Sequence, residues 1–236
     1  MSEKRFFIGS DFRALFPSAR IGVVVACDID NGGVSEGKAR LERAGAKALE
    51  GLGQTPLADH PDLACWRRAY KVFGAPKGHR SSVEALVRRV ASGKGIPTIN
   101  PLVDLYNALS LEFLFPAGGE DLDAVVGDVR LVLAAGGESF VPLGADESDP
   151  PRQGEVIYRD DEGVLCRCWN WREARRTCLS PSTKRALLVM ENLDPGRDDA
   201  FGAALLALAE GVERLGGRGE IHLLDGEENA FLLPSR

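Results

Sequence analysis

The chain is short of the residues that most often move protons or attack carbonyl groups. Its 236 residues include three histidines, His60, His79 and His222, too scattered for a catalytic triad or a histidine-rich metal site to be argued from spacing. Five cysteines (Cys27, Cys65, Cys166, Cys168 and Cys178) are an odd number at irregular intervals, which argues against a disulfide framework and for reduced thiols. Cys166 and Cys168 are two apart and would share one face of a strand; structural thiols are favoured there over metal ligands. No apolar run approaches the roughly 20 residues that cross a bilayer. The first eight residues lack the apolar stretch and cleavage site of a signal peptide, so cytoplasm is the expected location, with no membrane partner. Gly93-Lys94 is followed by Gly95, so there is no P-loop. No Rossmann fingerprint follows the apolar run at 21–27, and no Gly-x-Ser-x-Gly elbow occurs. The double glycines at 32, 118, 136 and 216 read as turns. No cofactor is expected.

What is present is ordinary in bulk and uneven in detail. Apolar residues make up 44% and charged residues 27%, with a formal net charge of −6, which argues against a general nucleic-acid coat protein. The positive charge is concentrated. Residues 66–95 carry eight Lys and Arg against Glu84 alone, and residues 166–185 carry six against Glu173 alone. Residues 118–163 reverse the balance, with twelve acids against Arg130, Arg152 and Arg159. A basic surface beside an acidic one suits a phosphate backbone in one place and a cationic group in another; solvated helix faces with no partner are the plainer alternative.

Hydropathy patterning predicts mixed α and β structure. Ile21 to Cys27 reads as a buried strand, and Glu36 to Leu52 as a helix with Leu41, Ala44, Ala48 and Leu52 at helical spacing. Leu63 to Phe73 is a second helix, ended by Gly74 and Pro76. Ser81-Ser82-Val83-Glu84 has the capping-box pattern and opens a third, and Asn100-Pro101 caps and opens a fourth that runs to about Phe115. Strands are expected at Asp128–Ala134, Glu138–Leu143, Gly154–Tyr158, Val164–Trp169, Ala186–Met190 and Glu220–Leu224, with a helix from Phe201 to Leu215. Without a repeat or a strong linker, the whole of 1–236 is expected to be a single domain.

The helix after Asn100 carries Asp104 and Asn107 among apolar residues, where they must reach solvent or find partners. Its sequence, Ile99-Asn100-Pro101-Leu102-Val103-Asp104-Leu105-Tyr106-Asn107-Ala108-Leu109-Ser110-Leu111, resembles the signature of the phenylalanyl-tRNA synthetase β-subunit editing domain, the B3/B4 domain, and of its stand-alone relatives. Neighbouring segments resemble it in the same order: Arg80 to Val90, Gly118 to Asp123, Gly137-Glu138, Gly154 to Tyr158, and Cys166 to Glu173. The motif-bearing core spans about 80–191.

The resemblance implies an α+β fold, a mixed α/β domain with a central amino-acid pocket. It also implies hydrolysis of the ester of a wrongly charged tRNA, as a trans-editing aminoacyl-tRNA deacylase, with canavanyl-tRNA(Arg) as the leading substrate. Mischarged tRNA, among them tRNA(Arg), and a synthetase are the implied partners. Water attack held by polar groups and backbone amides is expected. From the matching motifs, Asn107 and Ser110 are candidate catalytic residues. Asp104, Tyr106, Asp123, Glu138, Glu155, Asn170 and Glu191 are candidates for binding the amino acid, since a carboxylate suits an α-amino group or a guanidinium-type side chain. Trp169 and Trp171 either line the pocket or pack the sheet. Arg80, Arg88, Arg89, Arg172, Arg175 and Arg176 are candidates for tRNA phosphates. The rival reading is a non-catalytic module that binds an amino acid or tRNA beside a synthetase.

Overall fold

A computed structural model describes residues 3–33 and 37–234. In chain order the elements are β1 (Arg5–Ile8), α1 (Ser10–Leu15), β2 (Arg20–Cys27), α2 (Gly37–Leu52), α3 (Pro61–Val72), α4 (Ser82–Ala91), α5 (Pro101–Phe113), β3 (Ala117–Asp121), β4 (Val129–Leu133), β5 (Val156–Arg159), β6 (Val164–Arg167), β7 (Arg172–Glu173), β8 (Ala186–Asn192), α6 (Asp198–Arg214), β9 (Arg218–Leu224) and β10 (Ala230–Leu232), with a short 3-10 turn at Pro195–Arg197. The strands form two sheets, a four-stranded one in the order β3-β8-β2-β9 and a six-stranded one in the order β10-β1-β4-β5-β6-β7. The fold is mixed α/β, as expected. Among the described residues no helix is long and apolar enough to cross a membrane.

Period-two alternation explains how the four-stranded sheet serves two cores. On β2, Ile21, Val23 and Val25 join the cluster that faces the other sheet, while Val24 and Ala26 join the cluster under α5 and α6. Gly22 has no room for a side chain, because a Cβ there would overlap Leu205 of α6. On β8, Leu187 and Val189 face the first cluster and Leu188 and Met190 the second. Burying both faces requires the unbroken apolar run that made these strands readable.

Several expectations are corrected. Residues 138–143 do not form a strand; only Pro142 makes an isolated bridge, to Ala174. Gly136 and Gly137 both take positive φ, and Pro142 has no N–H to give a ladder. Gly118-Gly119 is not a turn but the middle of β3. The capping box at Ser81 does not close: Ser81 precedes α4, but its side chain accepts no backbone N–H. Asn100 does cap α5, accepting the Val103 N–H at 3.1 Å. Helix α2 is described from Gly37, so the expected start at Glu36 lies outside the described residues. Strand β6 stops at Arg167 because Cys168 and Trp169 both take positive φ, so the two cysteines do not continue one strand face.

Candidate functional site

A cavity of about 240 Å³ lies between the two sheets. Ala117 to Glu120 of β3 and Leu187, Val189 and Glu191 of β8 form one wall. The opposite wall includes Tyr158, Cys166 and Glu173, which strand register sets side by side across β5, β6 and β7. Alternation on β8 explains Glu191: it continues the Leu187–Val189 face, so a carboxyl ends an otherwise apolar row.

Glu191 is 2% exposed and is held by two neutral donors. The Tyr158 hydroxyl donates to its Oε1 at 2.9 Å and the Asn170 amide to its Oε2 at 3.0 Å. The Trp169 indole N–H lies close to the same carboxyl without a well-formed hydrogen bond. Burial outweighs these donors and raises the Glu191 carboxyl to about 7. Glu173 is raised to about 7 by the same cause, against the Gly119 N–H and the Tyr106 hydroxyl. Glu120 is raised well above the usual carboxylate range by burial and by the neighbouring Glu173, although the Thr177 hydroxyl donates to it. Three carboxyls, with no cation bonded to them among the described residues, thus share one small space and hold protons near neutral pH. A ligand cation would draw them into the ionised form. The Cys166 thiol among them is pushed up by burial, so it is protonated at neutral pH and unsuited to nucleophilic attack.

A strained turn presents this end of the cavity. Cys168 has φ 45° and Trp169 φ 66°, both rare for residues with side chains. Glu155 accepts the Cys168 N–H at 3.1 Å, and the Val156 carbonyl accepts the Trp169 N–H at 2.6 Å. Trp169 is thereby driven into a cluster of Phe12, Phe16 and Trp66, with ring centroids 4.8–5.0 Å apart. Asn170 emerges into the cavity, where its Oδ1 also accepts the Tyr70 hydroxyl at 3.0 Å.

The candidates from the sequence divide sharply. Asn170 and Glu191 line the cavity, and Arg172 joins them there with its guanidinium over the Trp171 ring. Tyr106 sits behind the wall, bonded to Glu173. The others lie elsewhere. Asp104 accepts the Ile99 N–H at 2.8 Å and fixes the start of α5. Asn107, on the same helix, is half-buried away from the cavity. The Ser110 hydroxyl, fully buried, donates to the Phe115 carbonyl and closes the end of α5. Asp123 pairs with Arg185 at 3.1 Å, and Glu138 accepts the N–H groups of Ala135 and Gly136. Glu155 forms a two-pronged pair with Arg167, at 2.8 and 2.9 Å.

Reading the sequence missed Glu120, Glu173 and Tyr158. Only Glu191 carried a signal, a carboxylate in phase with an apolar row. Glu120 followed a double glycine read as a turn, and β7 is two residues long. The double glycine has a packing reason: a Cβ on Gly119 would overlap Leu188 and Leu179, and one on Gly118 would stand 3.2 Å from Glu173 Oε1. Gly118→Val should therefore fill part of the cavity and displace Glu173. We expect at least a tenfold loss of ligand affinity or turnover, with a melting temperature within a few degrees of the parent; full function with a filled cavity would contradict this lining.

A second concavity, a groove of about 580 Å³, runs along α3 and α4. Its cations are Arg67, Arg68, Lys71, Lys77, Arg80 and Arg88. Glu84, buried between them, is bonded by both Arg67 and Arg88 at 2.6–2.9 Å. The groove adjoins the cavity: His79 of the groove packs on Trp171 of the cavity at 3.6 Å between centroids, and Tyr70 lines the groove while bonding Asn170. Of the other candidate cations, Arg89 bonds the Gly95 carbonyl, Arg175 pairs with Asp146, and Arg176 pairs with the fully buried Asp160.

An N-terminal fragment of the phenylalanyl-tRNA synthetase β subunit from Pyrococcus horikoshii matches with 13% identity and a TM-score of 0.46, over 93% of this chain and 51% of that one. This chain therefore spans about half the length of that fragment. No curated protein matches. The sequence pattern of the B3/4 domain matches residues 64–202, which include most of α3, all of α4 and α5, and the strands that form both walls of the cavity. The chain belongs to the B3/4 domain family.

Proposed function

We propose that the protein is an aminoacyl-tRNA deacylase that acts in trans, hydrolysing the ester of a mischarged tRNA, and that its substrate carries a cationic side chain, with canavanyl-tRNA(Arg) the leading case. The observation that carries this reading is the grouping of Glu120, Glu173 and Glu191 in one small cavity, with no cation bonded to them among the described residues. Glu120 and Glu173 lie together, and Glu191 is held separately by Tyr158 and Asn170. Two acidic places match an amino acid with two basic ends, an α-amino group and a guanidinium-type side chain.

The ester is reactive, so positioning can supply most of the rate. Attack by water held in the cavity fits a site with no thiolate and no Ser–His pair. The basic groove supports a nucleic-acid partner beside the cavity. In this reading Asn170, Glu191, Glu120 and Glu173 hold the amino acid. Arg172 and the groove cations, Arg80 and Arg88 among them, meet the phosphates.

The test is release of amino acid from canavanyl- and arginyl-tRNA(Arg) and from tyrosyl- and phenylalanyl-tRNA(Phe). We expect rapid release of canavanine with arginine spared, slowed about tenfold or more by Asn170→Ala. Activity should fall steeply with added salt, because phosphate contacts release counterions. Release of another amino acid alone would overturn the substrate. No release from any of the four by folded protein would replace the deacylase with a binding module.

A further inference from the structure

The start of α4 is built as though a ligand completes it. Ser81 has the extended backbone of an N-cap residue, with φ −61° and ψ 153°, yet it caps nothing. The residue is 1% exposed, and no partner for its hydroxyl is found among the described residues. A buried hydroxyl without a partner is costly, and Ser at this position ordinarily turns inward to the helix. Glu84, which would complete a capping box, is instead bonded to Arg67 and Arg88. The first turn of this ten-residue helix therefore has no side-chain cap, and its acid, Glu84, is already paired with two arginines.

This helix start stands between the two concavities. Ser81 lines the basic groove and Ser82 lines the cavity. The groove contributes six cations against two carboxylates, Asp59 and Glu84, and the second of these is already held by two arginines. An uncapped helix N-terminus, an unpartnered buried hydroxyl and an excess of cations together meet the needs of a phosphate group: backbone N–H donors, a side-chain donor and positive charge.

We propose that Ser81 and the first turn of α4 form a phosphate site, and that it holds a phosphodiester of the RNA strand whose acylated 3′ end enters the cavity. The RNA assignment rests on the deacylase reading; the phosphate site rests on Ser81 and the groove. A phosphate seated there would be flanked by the groove cations on one side, with the terminal ribose towards Ser82 and the cavity on the other.

The test uses uncharged RNA, so it does not depend on hydrolysis. Binding of a labelled four-nucleotide RNA ending in CCA is measured with the parent protein, Ser81→Ala and Ser81→Asp, with inorganic phosphate as competitor and the melting temperature of each protein recorded. Ser81→Ala should weaken RNA binding about tenfold and leave the melting temperature within about a degree, since the hydroxyl caps nothing. Ser81→Asp should hold or raise the melting temperature, because an acid suits a helix start, yet weaken RNA binding further by repelling phosphate. Unchanged RNA affinity in both variants would overturn the site. So would a melting point several degrees lower in Ser81→Ala, which would mean an internal structural role. Inorganic phosphate binding as tightly as the RNA would overturn the RNA assignment. If the parent binds RNA through Ser81 but deacylates no charged tRNA, the deacylase reading falls and the phosphate site stands.

Discussion

Arg167→Ala is expected to destabilise the protein by about 3–5 kcal/mol, the range for breaking a buried ion pair from one side. The side chains of Arg167 and Glu155 are 4% and 3% exposed and meet through two hydrogen bonds. Burial alone would raise the Glu155 carboxyl, but the Arg167 guanidinium outweighs it and holds the group below its usual range. Without the arginine, Glu155 remains buried, with the N–H groups of Cys168 and Arg152 as its remaining donors among the described residues. Arg167 also bonds Asp149 at 2.7 Å, and its guanidinium lies over Phe140 and Trp171. The loss therefore reaches the strained turn that carries Trp169 and Asn170. Urea unfolding measures it. The double variant Glu155→Leu/Arg167→Met should recover most of the stability, because no charge is then left buried. A single variant that costs less than about 1 kcal/mol would show that water reaches Glu155.

Glu191→Gln should lower kcat/KM for a cationic aminoacyl ester by about 10–100-fold, the worth of one charge-assisted hydrogen bond. An uncharged amino acid should lose much less. The same substitution should stabilise the free protein at alkaline pH. The carboxyl is at about 7 in the fold and near 4.3 in an unfolded chain, so between these values the folded state holds the extra proton. Its contribution to stability is complete below about pH 4 and is lost as pH rises through 7. Glutamine keeps the shape without the titration. The parent's melting temperature should thus fall between pH 5.5 and pH 8, and that of Glu191→Gln should fall less. Glu173, raised in the same way, preserves part of the slope. Activity of the parent should rise over the same interval as the carboxyls ionise to receive the cation. Identical slopes in the two proteins would mean that Glu191 already titrates as a solvated carboxyl.

Opposite signs for stability and activity would mark these carboxyls as functional, since a folded chain gains nothing from three of them crowded into one cavity. The Arg167–Glu155 pair is the contrast. Both are buried carboxylate arrangements, but one is neutralised from within the chain, and the other, in the function proposed, takes its cation from the substrate. Glu155 looked as suitable for the pocket as Glu191 in the sequence, because nothing local reveals whether a buried acid has an internal partner.

The elements legible in the sequence were those whose neighbours along the chain decide their state. Asn100-Pro101 opens α5 through a side-chain cap and a preset φ, both local effects, and α2 is marked by apolar residues at helical spacing. The buried runs of β2 and β8 were readable because both faces are covered. The order of motifs from 80 to 191 was enough for the family, and the same resemblance offered Asn170 and Glu191, which line the cavity. Tertiary structure alone decided the rest. Strand β3 exists because Gly119 fits under Leu188 and Leu179, and β7 because two residues pair with β6. The capping box at Ser81 failed because Arg67, on another helix, took Glu84. The acids of the cavity come from β3, β7 and β8, up to 71 positions apart. Which acids meet there is set by strand register and sheet stacking, through contacts between segments distant in the chain, and no local pattern records those.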